Sequence, residues 1–320
     1  MLLYHLGTTA SAYQQESVFN VIFRYGHLGV DFFFVLSGFI IFNAHYKDIG
    51  NTGKAVIYAK KRFFRIYPIF FIVISSKILI FLLLGIEFRE DQQSFNYFLS
   101  SYLLLPIKDQ FPLIVVSWTL CYEVTFYLFF LISMIMGNKI FFFCTSSWAI
   151  FIIFYNLFEH EYNFALDHIF NPYNFEFIIG IFTAWIYRNK KSHSKYILFG
   201  FATTLLILIN TVMNELCLRF VLGSSFGLII LVSTNLPKLK SKLWRLVDGT
   251  LYLIGNASYS IYLVHTLIIT AMYQVFLNSI NVNALGFISF FVSLAFGILF
   301  WQFIEFPLLR FSRKKFINKQ

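Results

Sequence analysis

Apolar runs of about twenty residues, the length needed to cross the hydrocarbon core of a bilayer, recur along this chain at 29–46, 66–86, 113–136, 140–158, 195–214, 217–235, 250–273 and 284–306. A shorter run lies at 173–187, and the apolar opening segment, Met1 to about Tyr13, is too short to cross. Lipid offers no hydrogen-bond partners, so each run must satisfy its own backbone, and a helix does so within one segment. Hydrophobic residues make up 58% of the 320 and charged residues 12%, about half the charged share of a soluble domain. The chain therefore reads as all-α: a polytopic transmembrane helical bundle and a single membrane-embedded domain over 1–320. About ten spans are expected, the first truncated at its N-terminus.

A net charge of +10 invites a nucleic-acid reading, which the distribution of that charge argues against. Residues 47–65, 188–195, 238–245 and 310–319, together with Lys139, hold 20 of the 25 Lys and Arg, on every second connection. The opposite connections hold most of the acids, among them Glu16, Glu87, Glu90, Asp91, Asp109, Glu159, Glu161, Asp167 and Glu215. Basic loops stay on the cytoplasmic side, so the C-terminus and the 47–65 loop are expected in the cytoplasm, with the protein in the inner (plasma) membrane. The parity works only if the opening stub is the outer part of a first helix that starts inside. Roughly ten residues, nearly three helical turns, are thus expected upstream of Met1. Cys121, Cys144 and Cys217 show no paired spacing, so neither a disulfide framework nor a metal site is expected.

Six ionisable groups fall at membrane depth: His5, Asp31, Glu123, Glu176, His265 and Glu305. Glu123 is the only formal charge between Asp109 and Lys139. An ionised carboxylate at mid-bilayer costs about 2.5–3.5 kcal/mol on insertion scales, so such a residue is protonated, paired or facing a wet cavity. A purely packing role is the competing reading. His5, in LLYHLG, has an imidazole suited to general-base or proton-relay chemistry; a lone His in an apolar run is equally a satisfied packing residue, and spacing leaves this open. Asp31 opens GVDFFFVLSGFIIF, where the N–H groups of a first helical turn favour a carboxylate. Ser37-Gly38, mid-span, lets another backbone approach closely.

Arg62 and Arg65 in KRFFRIYP stand at i and i+3, on one helix face, where two guanidiniums can grip phosphate oxygens or simply set topology. In NASYSIYLVH, Ser258, Tyr262 and His265 follow i, i+4, i+7, a polar face that either joins helices or lines a substrate path. Glu305 precedes Phe306-Pro307; Pro307 is expected to bend the last span, and Glu305 to pair with Arg310 or with the Arg62 loop.

Taken in order, LLYHLG, HLGVDFFFVLSGFII, KRFFRIYP, SWTLCYEVTFY, IGNASYSIYLVH and WQFIEFPLLR resemble the acyltransferase 3 family of integral-membrane O-acyltransferases. GVDFFFVLSGF and SWTLCYE are the specific blocks. The resemblance implies transfer of an acyl group, usually acetyl, from acyl-CoA to a hydroxyl of a cell-surface polysaccharide, lipid-linked sugar or related acceptor. It places His5 as the essential histidine, Glu123 as the acidic residue following the Ser-Trp block, and Arg62 and Arg65 as the R-x-x-R motif that binds the coenzyme. Asp31, Tyr262 and His265 are expected along the acceptor path. The Arg that the family carries about three helical turns before the histidine has no counterpart here. Acyl-CoA is expected as donor substrate with no permanently bound cofactor, and the expected partners are the bilayer, a carbohydrate acceptor and polysaccharide-assembly proteins. Rival readings are a proton-coupled transporter and an inactive scaffold of such an assembly.

Overall fold

The computed structural model describes residues 1–158, 161, 163–189, 215–235 and 242–317. The apolar run expected at 195–214, Glu159, and the basic residues Lys190, Lys191, Lys195, Lys238, Lys240 and Lys319 lie outside the described residues. Within them the chain is helical and contains no strand. Its helices are α1 (Leu2–Ala12), α2 (Val18–Ile22), α3 (Gly29–His45), α4 (Thr52–Leu83), α5 (Phe95–Leu103), α6 (Trp118–Ile135) and α7 (Asn138–Leu157). There follow α8 (Phe164–Ile169), α9 (Pro172–Arg188), α10 (Glu215–Asn235), α11 (Lys242–Phe276), α12 (Val282–Phe300) and α13 (Phe306–Ser312).

Seven segments among the described residues are long and apolar enough to span a membrane: Gly26–Asp48, Thr52–Leu83, Val115–Ile135, Asn138–Leu157, Glu215–Thr234, Asp248–Phe276 and Val282–Phe316. Each coincides with a run read from the sequence; α9, at 17 residues, occupies the shorter run at 173–187. The large apolar side chains on their outer faces remain uncovered, among them Phe143, Phe291 and Phe303 at 71, 62 and 69% exposure. Exposed apolar surface on this scale fits a lipid surround rather than water. This is a multi-pass membrane protein.

Two boundaries differ from expectation. The basic segment before the second long span is not a loop: α4 begins at Thr52 and runs through Lys60, Arg62 and Arg65, with Pro68 inside the helix. Proline there removes one backbone hydrogen bond, a loss that transmembrane helices tolerate when neighbours satisfy the freed carbonyl. At the other end, the last span does not simply bend at Pro307. A π-helical turn, Trp301–Glu305, joins α12 to α13, whose first turn holds Pro307. The missing proline N–H breaks the regular ladder, and the helix widens by one residue to accommodate it.

The chain, read as one domain, gathers into two compact units, with two of the boundaries falling inside α4 and α6. Unit 1 comprises Met1–Leu28, Lys60–Leu120 and Leu239–Gln320. Its core joins α1 and α2 to α11 and α12 through Leu6, Ala10, Phe19, Ile269, Tyr273 and Leu285. Asn281 caps α12 by accepting from the backbone N–H groups of Asn283 and Ala284, the groups a helix start leaves unpaired. Unit 2 comprises Gly29–Ala59 and Cys121–Lys238. There α3 packs along α9 and α10, around the Phe177 ring, which stacks on Phe126 at 4.5 Å and meets Phe34, tilted by 33°, at 4.6 Å between centroids. Gly38 and Gly180 let α3 and α9 touch backbone to backbone: a Cβ on Gly38 would meet the Phe177 carbonyl, and one on Gly180 the Val35 carbonyl.

Candidate active site

In unit 1, α1 brings His5 against His265 of α11, with ring centroids 5.1 Å apart and the rings tilted by 54°. His265 is buried. Its Nδ1 lies 2.7 Å from the Tyr262 carbonyl and 3.1 Å from that of Ile261. A carbonyl oxygen only accepts, so Nδ1 carries the proton and the neutral ring keeps its lone pair on Nε2. The Nε2 atoms of both His5 and His265 are buried without a hydrogen-bond partner among the described residues. Buried polar atoms are nearly always paired. Two unpaired nitrogens on touching rings mark this contact as a place where a further polar group belongs. On the same helix, the Tyr262 ring lies 6.0 Å from His265, and its hydroxyl donates to the Val116 carbonyl and lies 2.5 Å from Thr119 Oγ1. Tyr262 is thereby anchored to the turn that opens α6.

The second cluster of unit 1 sits where α4 meets the π turn. Glu305 is fully buried, and its carboxylate accepts from Arg65 Nη1 on one oxygen and from Ser260 Oγ, at 2.5 Å, on the other. The Arg65 guanidinium also lies 5.4 Å from the ring centroid of Tyr259, whose hydroxyl donates to the Ile66 carbonyl. The partner of Glu305 is therefore Arg65, not Arg310. One guanidinium of the R-x-x-R pair is held by a carboxylate, while its side chain stays 36% exposed. Arg62 is half-buried on the same face of α4.

Unit 2 holds the other two residues read as functional. Glu123, on α6 and 6% exposed, accepts from the Tyr127 hydroxyl and, at 3.5 Å, from Ser37 Oγ. The Tyr58 hydroxyl in turn donates to the Tyr127 carbonyl. Ser37 thus does more than admit a neighbouring backbone: it faces the carboxylate. Asp31, 1% exposed, is ion-paired with Arg219 of α10 rather than resting only on the N–H groups of its own helix. Arg219 also donates to the Tyr173 hydroxyl at 2.9 Å, lies 4.0 Å above that ring, and approaches Glu215 at 3.5 Å. Glu176, fully buried, stands one turn after Tyr173 on the same face of α9.

Nearby in unit 2, His168 of α8 stacks on Tyr122 with centroids 4.4 Å apart, and its Nε2 lies 2.9 Å from Thr125 Oγ1. Desolvation lowers its pKa to about 4, so this imidazole is neutral at physiological pH. An apolar cavity of about 670 Å³, walled by Phe142, Ala149, Ile179, Phe182 and Leu228 of α7, α9 and α10, contains none of the candidate residues. No three His, Cys, Asp or Glu side chains among the described residues converge as metal ligands.

An acyltransferase-domain model of the acyltransferase 3 family matches residues 1–303. The chain belongs to the acyltransferase 3 family. No curated protein and no solved structure matches it. The family match spans His5, Asp31, Arg62, Arg65, Glu123, Tyr262 and His265, and stops two residues short of Glu305.

Sequence reasoning missed several members of these clusters, Arg219, Tyr127 and His168 among them. Arg219 had a usable signal: it is the only basic residue between Glu215 and Asn235, and a cation in an apolar span calls for a buried acid. Tyr127 also had one, standing four residues after Glu123 on the same helix face. His168 had none, because its contact with Thr125 depends on the path of the chain between α7 and α9.

Proposed function

We propose that this protein is a membrane O-acyltransferase that moves an acyl group, most simply acetyl, from acyl-CoA to a hydroxyl of a cell-surface polysaccharide or lipid-linked sugar. The observation that carries the reading is the imidazole contact of His5 and His265, with both Nε2 atoms buried and unpaired among the described residues, inside a chain of an acyl-transferring family. His5 is the acyl-transfer residue. It either takes the proton of the acceptor hydroxyl as a base or takes the acyl group itself as a nucleophile. On either route the C–O bond of the ester forms, the thioester C–S bond breaks, and the hydroxyl proton ends on the coenzyme thiol.

Arg62 and Arg65 would meet the phosphates of the coenzyme on the cytoplasmic side, where the sequence puts most of its Lys and Arg. The Glu305 contact supports that role for Arg65, because a guanidinium held on one edge presents its remaining donors in a fixed direction. Glu123, held by Tyr127 and Ser37, is the second residue on which activity is proposed to depend. Asp31 is proposed to act on the acceptor path by fixing Arg219 and Tyr173. The same charge pattern supports the inner membrane as location, with a cytoplasmic C-terminus.

Mass analysis of surface glycans from cells carrying His5→Ala as the sole copy tests the reading. Ester-linked acyl groups should disappear while the variant remains in the membrane at normal amount. Unchanged esterification would overturn it.

A further inference from the structure

His265 is as unusual as His5, and the role left to it follows from its tautomer. Its Nδ1–H is committed to the carbonyls of Ile261 and Tyr262. Its lone pair therefore sits on Nε2, a buried atom without a partner among the described residues, in a ring 5.1 Å from that of His5. A packing histidine would place its second nitrogen against a donor. This one keeps a proton-accepting atom open beside another imidazole whose Nε2 is also open.

We infer that His265 is the general base for the acceptor hydroxyl, and that His5 carries the acyl group; the inference rests on the reading of His5 given above. In the first half-reaction His5 Nε2 attacks the thioester carbon. The C–N bond forms, the C–S bond breaks, and the coenzyme leaves as thiolate while the acylated His5 ring holds the positive charge. That nitrogen now has no lone pair, so a second base is required. In the second half-reaction the acceptor hydroxyl gives its proton to His265 Nε2. Its oxygen forms the C–O bond, the C–N bond breaks, and the electron pair returns to His5. His265 then gives up that proton, and the thiolate, displaced from the carbonyl in the first half-reaction and held in the site until now, takes it and departs as thiol. The two rings are never cationic together, because His5 becomes neutral as His265 is protonated. The Ile261 and Tyr262 carbonyls orient His265 and favour its charged form, the service a carboxylate performs behind a catalytic histidine.

His265→Asn tests this, because the shorter amide keeps an N–H near the Nδ1 position and removes Nε2. Incubated with acetyl-CoA alone, the purified variant should accumulate an acetyl adduct on His5, seen as a mass gain that hydroxylamine releases. In cells, ester-linked acetyl on surface glycans should fall at least about 100-fold. Esterification within about threefold of the unmodified protein, or loss of the adduct together with esterification, would overturn the inference. A second measurement does not depend on how a variant folds. In the unmodified protein, decay of the adduct onto acceptor should be about two- to threefold slower in D2O, as expected when a base takes a proton in the slow step; equal rates would overturn it. His5→Ala separates the two levels. Esterification that survives there sinks the reading of His5 itself, whereas esterification that survives only in His265→Asn sinks the role of His265 alone.

Discussion

The Asp31–Arg219 pair and the His5–His265 contact treat buried polar groups in opposite ways. In unit 2, Asp31 and Arg219 neutralise each other, and Arg219 takes Tyr173 and Glu215 as further partners. In unit 1, His5 and His265 touch, yet each keeps a buried nitrogen unpaired among the described residues. A paired charge holds a bundle together. An unpaired lone pair, which costs stability, makes sense where a reactant completes it. On this contrast we propose that the first cluster holds the acceptor path in place and that the second carries the chemistry.

Replacing His5 separates those assignments most sharply. His5→Ala should lower acyl transfer by about a thousandfold or more and leave the melting temperature in detergent unchanged or slightly raised. A variant that melts early instead would place His5 with the structural residues. Arg219→Met should act on stability first, with any loss of acyl transfer confined to use of the acceptor. Leaving Asp31 buried without its partner should cost about 3–5 kcal/mol of stability, read as a lowered melting temperature, and adding Asp31→Leu should recover most of it. If the single variant is fully stable but inactive, the Asp31–Arg219 pair belongs to the chemistry and the contrast fails.

The remaining predictions refine the comparison within each unit. His168, outside the spans, has a pKa lowered to about 4 by desolvation. Between that value and its ordinary value near 6.5 the unfolded chain binds more protons, so stability is full above about pH 6.5 and is lost as pH falls towards 4. The loss should be on the order of 3 kcal/mol, and His168→Gln should flatten that part of the curve. Arg62→Ala with Arg65→Ala should raise the KM for acyl-CoA about tenfold, about 1.4 kcal/mol, with a smaller change for the acceptor. An equal effect on both substrates would remove the coenzyme role. Ser37→Ala, which loses one long contact to Glu123, should cost about 1 kcal/mol at most, visible only as a small shift in melting.

The helical, multi-pass character of the chain was legible because a spanning helix needs only length and apolarity, both local properties. Seven described spans fall where hydropathy put them. The start of α4 was not, because Lys and Arg signal a loop by composition while their long side chains are good helix formers. At the candidate site, His5 and His265 were each visible as an ionisable group in an apolar run. Their contact was not, since it joins residues 260 positions apart in sequence. Asp31 was visible without its partner, because a first-turn carboxylate already has a local explanation that conceals a distant cation.

Gly38 and Gly180 carry a last consequence. With no side chains cushioning α3 from α9 at that crossing, the two helices have no slack to slide or part by small steps. Any motion of this crossing is therefore expected to carry both helices as one plank, so that Asp31, Ser37, Tyr173 and Glu176 keep their mutual spacing.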